Sequence, residues 1–247
     1  MKSVFALLLA CAGPLSAAVS LPYSNNFGSS VADFTTGGAN STWTLGGGTY
    51  TNSITADGPS FAMVQATGLG AGTKQSFSVS TTLTSFSASS GSVGFGLLAT
   101  AANLGTASFL LADMFNDGTL RFRPFTNGGA TGSDVSLTTL IRPLQTSTLG
   151  AVTLSVTGVY NPDNSLTLTL TAVQGATTAN HSTTYAAAGL VDGTWFGYRD
   201  RNNTGVTTVV TSTAVLDNFS LQAIPEPSAI LASAMSLGFA CIRRNRR

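Results

Sequence analysis

Few side chains in this chain could do chemistry. Charged residues make up 9% of its 247 positions, with two cysteines and one histidine. A Ser–His–Asp site would have to use His181, which stands in the polar stretch Asn180-His181-Ser182 and reads as an exposed loop residue. Glycoside hydrolysis needs two converging carboxylates, yet the one glutamate is Glu226, close to the C-terminus. Asp113 and Asp117 flank a turn rather than share a strand face. Cys11 and Cys241 lie near the two ends, so disulfide, thiolate and transition-metal sites are not expected between them. Calcium takes oxygen ligands alone, and Asp200 and Asn202, read with Asn203 and Thr204 as a polar loop, are its weak candidates. No other cofactor is expected.

The residue types that remain suit contact with sugar: aromatic faces beside polar hands. Phe115 with Arg121 and Arg123 is one such set. Trp195 and Tyr198, near Arg199 and with Tyr160 elsewhere, form the other. Between residues 19 and 223 there are six basic residues and nine aspartates, a net charge near −3. That balance argues against nucleic acid as a partner, which requires a basic footprint.

These residues sit in a period-two pattern. Phe77, Val79 and Leu83 alternate with Ser and Thr, as do Val152-Leu154-Val156 and Leu166-Leu168-Leu170. Such alternation predicts strands with one dry and one wet face. Asn161-Pro162-Asp163-Asn164 joins the last pair as a hairpin, and Asn116-Asp117-Gly118 and Asp192-Gly193 read as further hairpin turns. A three-residue loop at 116–118 pairs Asp113 with Arg121 and Met114 with Leu120. Leu110, Ala112, Met114, Leu120 and Phe122 then share one face, and Asp113, Phe115, Arg121 and Arg123 the other; if that face lines the concave sheet, it could meet a saccharide. A two-residue loop would mix the two sets, so burial favours the first register.

No helical stretch interrupts the pattern, and the expected class is all-β, a two-sheet antiparallel sandwich. The succession of an opening strand at Tyr23 to Phe27, a Trp-containing strand and Gly turn at Ser41 to Tyr50, Trp195 to Arg199 and a closing Val215 to Leu221 resembles concanavalin A-like (laminin-G-like) jelly rolls. That resemblance implies that the first and last strands pair. An immunoglobulin-like sandwich is the alternative, though about 200 residues is long for one such domain.

The two ends carry a different message. Lys2, the apolar run Val4 to Ala12 and the small residues Ser16-Ala17-Ala18 predict a signal peptide over 1–18. The sandwich is then expected over 19–223. Pro225-Glu226-Pro227 begins a tail over 224–247, in which Ala229 to Ile242 is uncharged and Arg243, Arg244, Arg246 and Arg247 form a basic cap. The prolines favour an extended, accessible segment. As a helix the apolar run would rise about 21 Å, short of the ~30 Å hydrocarbon core unless the arginines snorkel. The cap favours a cytoplasmic C-terminus.

The tail closely resembles the PEP-CTERM sorting signal of Gram-negative bacteria, with Pro225, Glu226 and Pro227 matching its tripeptide. The resemblance implies recognition and cleavage by an exosortase, transient residence in the inner membrane, and delivery to the cell surface or extracellular matrix. It also implies exopolysaccharide as a partner. The expected role is thus non-enzymatic binding or structure; a secreted carbohydrate-active enzyme or binding module is the alternative. Intact-mass analysis of protein recovered from the surface of a host with that machinery should show a chain lacking Ala229 to Arg247. A full-length C-terminus there would contradict the sorting reading.

Overall fold

In the computed structural model the described residues are 18–38, 40–70, 72–87, 91–115, 117–131, 135–137, 151–202 and 212–225. They form strands and connections, with no helix among them. In chain order the strands begin with β1 (Tyr23–Asn25), β2 (Thr35–Gly38), β3 (Ser41–Gly46), β4 (Thr49–Ile54) and β5 (Gly58–Gln65). Next come β6 (Phe77–Ser87), β7 (Gly91–Ala99), β8 (Phe109–Phe115), β9 (Leu120–Thr126), β10 (Gly129–Ala130) and β11 (Val135–Leu137). The series closes with β12 (Val152–Tyr160), β13 (Leu166–Gln174), β14 (Thr177–Tyr185), β15 (Trp195–Asn202) and β16 (Ser212–Ala223).

Two antiparallel sheets result. One runs β14-β13-β12-β6-β16-β4-β3, with β1 also on β16; the other runs β10-β9-β8-β7-β15-β5-β2, with β11 also on β9. The first and last strands pair as the sequence implied, Tyr23 opposite Leu221. Asp192-Gly193 makes no hairpin, contrary to expectation. It lies in the connection from β14 to β15, which belong to different sheets, and the Gly193 N–H donates to the Leu98 carbonyl at 2.9 Å. The expected signal peptide, apart from Ala18, and tail residues 226–247 lie outside the described residues.

The first sheet follows its alternation closely. Leu166, Leu168 and Leu170 are buried against the second sheet, together with Val152, Leu154 and Val156. On its outer face, Thr167 meets Thr184 at 2.9 Å, Thr169 meets Ser182 at 2.8 Å, and the Thr171 hydroxyl donates to Asn180 at 2.7 Å. Cross-strand hydroxyl pairs of this kind suit a wet face and add a few tenths of a kcal/mol to about 1 kcal/mol each.

The second sheet is partly buried on both sides. Its inner face supplies Phe95, Leu110, Ala112, Met114, Leu120, Phe122, Phe196 and Tyr198 to the inter-sheet core. Its outer face carries a second apolar cluster in which Phe61, Met63, Phe109, Leu111 and Phe125 are roofed by Leu104 and Ala107. Leu104 comes from the segment between β7 and β8, and Gly96 is what admits it. A Cβ on Gly96 would stand 2.8 Å from the Leu104 Cδ1. The roof divides the outer face into an apolar end and a charged end.

Face assignment predicts opposite outcomes for neighbouring substitutions. Leu168→Ala removes a fully buried side chain from the core and should lower unfolding free energy by about 2–5 kcal/mol. Thr169→Val, on the wet face, should change it by less than about 1 kcal/mol. Urea titration of both variants checks this; similar losses for the two would contradict the face assignment.

Candidate functional site

The charged end of the second sheet is built around the β8–β9 hairpin. Its register is the expected one: Asp113 is opposite Arg121 and Met114 opposite Leu120. The loop closes through the Phe115 N–H to the Thr119 carbonyl at 2.9 Å. Gly118 makes the three-residue loop feasible, with a φ of +85° that a side chain would strain. This register leaves Asp113, Phe115, Arg121 and Arg123 on the outer face, away from the core.

Asp113 and Arg121 form a bidentate ion pair. Arg121 Nε donates to Oδ1 at 3.0 Å and Nη2 to Oδ2 at 2.7 Å, with both residues buried. The Phe115 ring supports the same guanidinium at 4.1 Å from its centroid. Cation–π contact and a planar fork together fix Arg121 more tightly than an exposed pair would be. Phe115 therefore presents its ring to Arg121.

Strand β15 brings two more arginines to this face. Arg199 and Arg201 alternate with Tyr198, Asp200 and Asn202, so the arginines point outward and the others inward. Arg201 lies opposite Ser92 and Arg199 opposite Gly94, which is opposite Asp113 in turn. Arg199 is 4% exposed, and its guanidinium lies over the Phe125 ring at 5.1 Å, beside Arg123 at 5.7 Å. Burial pulls the Arg199 guanidinium down to about 10; nearby Arg201 and Arg121 act in the same direction, and Asp113 opposes them. Arg199 Nε and Nη1 and Arg201 Nε are buried without a hydrogen-bond partner among the described residues. Gly91, Ser92, Phe115, Arg121, Arg123 and Arg201 line a cavity of about 140 Å³. Of the sequence-expected contacts, the structure thus brings Phe115, Arg121 and Arg123 to one place.

The other expected contacts fall elsewhere. Tyr198 is a core residue: its hydroxyl is 2.8 Å from Thr81 Oγ1, and its ring stacks with Phe34 and Phe95. Burial pushes that hydroxyl far above the ordinary tyrosine range. It cannot meet a surface ligand. Trp195 packs against the apolar end of the outer face, six residues along β15 from Arg201 and so about 20 Å away. Tyr160 lines a separate cleft of about 720 Å³ with Lys74 and Pro225, and Lys74 Nζ stands 5.3 Å from its ring. Arg201 is the residue that sequence reasoning did not select. Its signal was its spacing, two residues from Arg199 on one strand.

His181 is not a loop residue either. It lies in β14, 3% exposed, with its ring 5.4 Å from that of Phe122. Asp200 and Asn202, expected in a polar calcium loop, belong instead to β15 and lie wholly inside the sandwich, while Asn203 and Thr204 lie outside the described residues. Asp200 Oδ2 accepts from Asn52 Nδ2 at 2.8 Å, and Asn52 Oδ1 accepts from the Ser60 hydroxyl at 3.2 Å. No group of three His, Cys, Asp or Glu side chains gathers among the described residues.

Several solved structures share this architecture. The carbohydrate recognition domain of Emp47p matches with a TM-score of 0.53 at 15% identity, over 85% of this chain and 99% of that one. A protein of unknown function from Shewanella oneidensis MR-1 matches with 0.52 at 13% identity, over 85% and 92%. A seed lectin of Lotus tetragonolobus matches with 0.51 at 13%, over 84% and 100%. These likenesses establish a lectin-like jelly-roll fold. No family model and no curated protein matches the sequence.

The interior carboxylate makes stability depend on pH. Burial pushes Asp200 up to about 7, with the Asn52 hydrogen bond pulling the other way. Its folded value is raised, so its contribution to stability is intact below the unfolded value near 4 and is lost as pH rises to about 7. Asp200→Asn should abolish that part of the decline and melt higher than the parent at pH 8. Thermal melts of both proteins from pH 4 to 8 measure it; parallel curves would contradict it.

Proposed function

We propose that this chain is an exported, non-enzymatic carbohydrate-binding protein, sorted by an exosortase-type enzyme to the cell surface or extracellular matrix of a Gram-negative bacterium, where it associates with exopolysaccharide. The termini support the route: a leader-like start and a Pro-Glu-Pro tail with an apolar run and an arginine cap. The sandwich is tied down as far as Ile224, whose N–H donates to the Ser76 carbonyl at 2.8 Å. Its own carbonyl accepts from Gln75 at 2.6 Å. Pro225 follows at once and is exposed, so the described part of the sandwich ends where the tripeptide begins.

The observation that carries the binding half is the cavity shared by Phe115, Arg121, Arg123 and Arg201 on the outer face of a lectin-like sandwich. Proteins of similar fold include a carbohydrate recognition domain and a seed lectin. Asp113 is the one carboxylate that described strands present on that face, and Arg121 engages both its oxygens. An ion-paired carboxylate is poorly placed to donate or accept a proton in glycoside hydrolysis, which needs two carboxyl groups.

Arg121 is best left in place, because its removal would strand the Asp113 carboxylate in a buried site at about 3–5 kcal/mol. Arg123 is the better test. On a microbial glycan array the protein should retain a polysaccharide without releasing reducing ends, and Arg123→Ala should weaken retention by about tenfold. Unchanged retention by a folded Arg123→Ala variant would remove this face from the binding site.

A further inference from the structure

We infer that the outer-face cavity selects an oxyanion on the glycan, a uronate carboxylate or a sulfate ester, with Arg201, which lines it, as the residue that awaits it and Arg199 as a buried cation on the same strand face. The inference rests on the carbohydrate-binding reading and specifies the ligand's chemistry.

The described strands place four guanidiniums on this stretch of sheet and one carboxylate among them. Asp113 is held at both oxygens by Arg121, so its charge is already matched. Arg199 and Arg201 bring two further cations, and their buried N–H groups find no acceptor among the described residues. A buried donor left unpaired costs about 1–3 kcal/mol, more when it is charged. The aromatic face under Arg199 offsets a part of that, and only where the ring stands; a guanidinium edge asks for an in-plane acceptor. Carboxylate and sulfate oxygens match the fork in spacing and charge, whereas a neutral hydroxyl supplies neither.

Size agrees with charge. A cavity of about 140 Å³ is too small for a sugar chain, against the ~300–1,000 Å³ of ordinary ligand pockets, and suits one substituent projecting from a polymer that runs across the face. Gly91 and Ser92 line it with small side chains, and Phe115 and Arg121, stacked on one another, line it as well. The overall charge of the domain is negative, so the local surplus of cations is a property of this patch and not of the surface at large.

The test is direct binding of the full chain, in mild detergent, to three soluble polymers: polygalacturonate, dextran sulfate and neutral dextran. At least one anionic polymer should bind about tenfold or more tightly than dextran, and Arg201→Gln should remove most of that preference. Which anionic polymer wins assigns the oxyanion. If Arg201→Gln does not fold, the salt dependence of the parent decides: affinity for the anionic polymer must fall steeply as sodium chloride rises. Binding of dextran equal to that of both anionic polymers would overturn the oxyanion inference and leave the carbohydrate-binding reading standing. Binding to none of the three, and to no glycan on the array, would end both.

Discussion

Four guanidiniums held on one sheet face, in a chain with little charge elsewhere, repel one another, and the arrangement depends on the Asp113–Arg121 pair. The pair is bidentate and buried, which makes its geometry specific even where its net contribution to stability is small. Phe115 and Phe125 do the remaining electrostatic work by turning ring faces toward Arg121, Arg199 and Arg123. Without Asp113 the hairpin would carry like charges one strand away from those of β15, with only Gly94 of β7 between them. With it, one arginine is a structural member and the others keep their charge for use.

The fold makes room for this patch by treating its two sheets differently. The first sheet buries one face and wets the other with paired Thr, Ser and Asn side chains, so its outer surface offers hydroxyls in rows and little relief. The second sheet covers part of its outer face with the Leu104 segment, seated over Gly96, and thereby sets an apolar end apart from a charged one. Cations set beside a partly dehydrated surface are felt more strongly than on an open one, because less water screens them. The site thus owes its character to the roof as much as to its own residues.

Legibility in the sequence followed the same division. Over Val152 to Thr157 and Leu166 to Thr171 polar and apolar residues alternate strictly, so existence, pairing and facing could all be read. The β8–β9 register was readable because one choice of loop length separated an apolar set from a charged one. On β15 the run Trp195-Phe196-Gly197-Tyr198-Arg199-Asp200-Arg201-Asn202 gives no such contrast, since both faces of that sheet are partly buried. Parity there is set by pairing with β5 and β7, and a one-residue ambiguity put Tyr198 with the ligand and hid Arg201. Asp200 and Asn202 looked like turn residues for the same reason, and His181 looked exposed because its chain neighbours Asn180 and Ser182, both exposed, are polar.

The central claim is that the cations beside the hairpin receive an anionic group, and a crystal structure with an acidic oligosaccharide addresses it most directly. The account predicts a carboxylate or sulfate in the cavity, with its oxygens within hydrogen-bonding distance, about 3 Å, of Arg201 nitrogens. An oligosaccharide bound elsewhere on the sandwich, with Arg201 as it stands here, would contradict it.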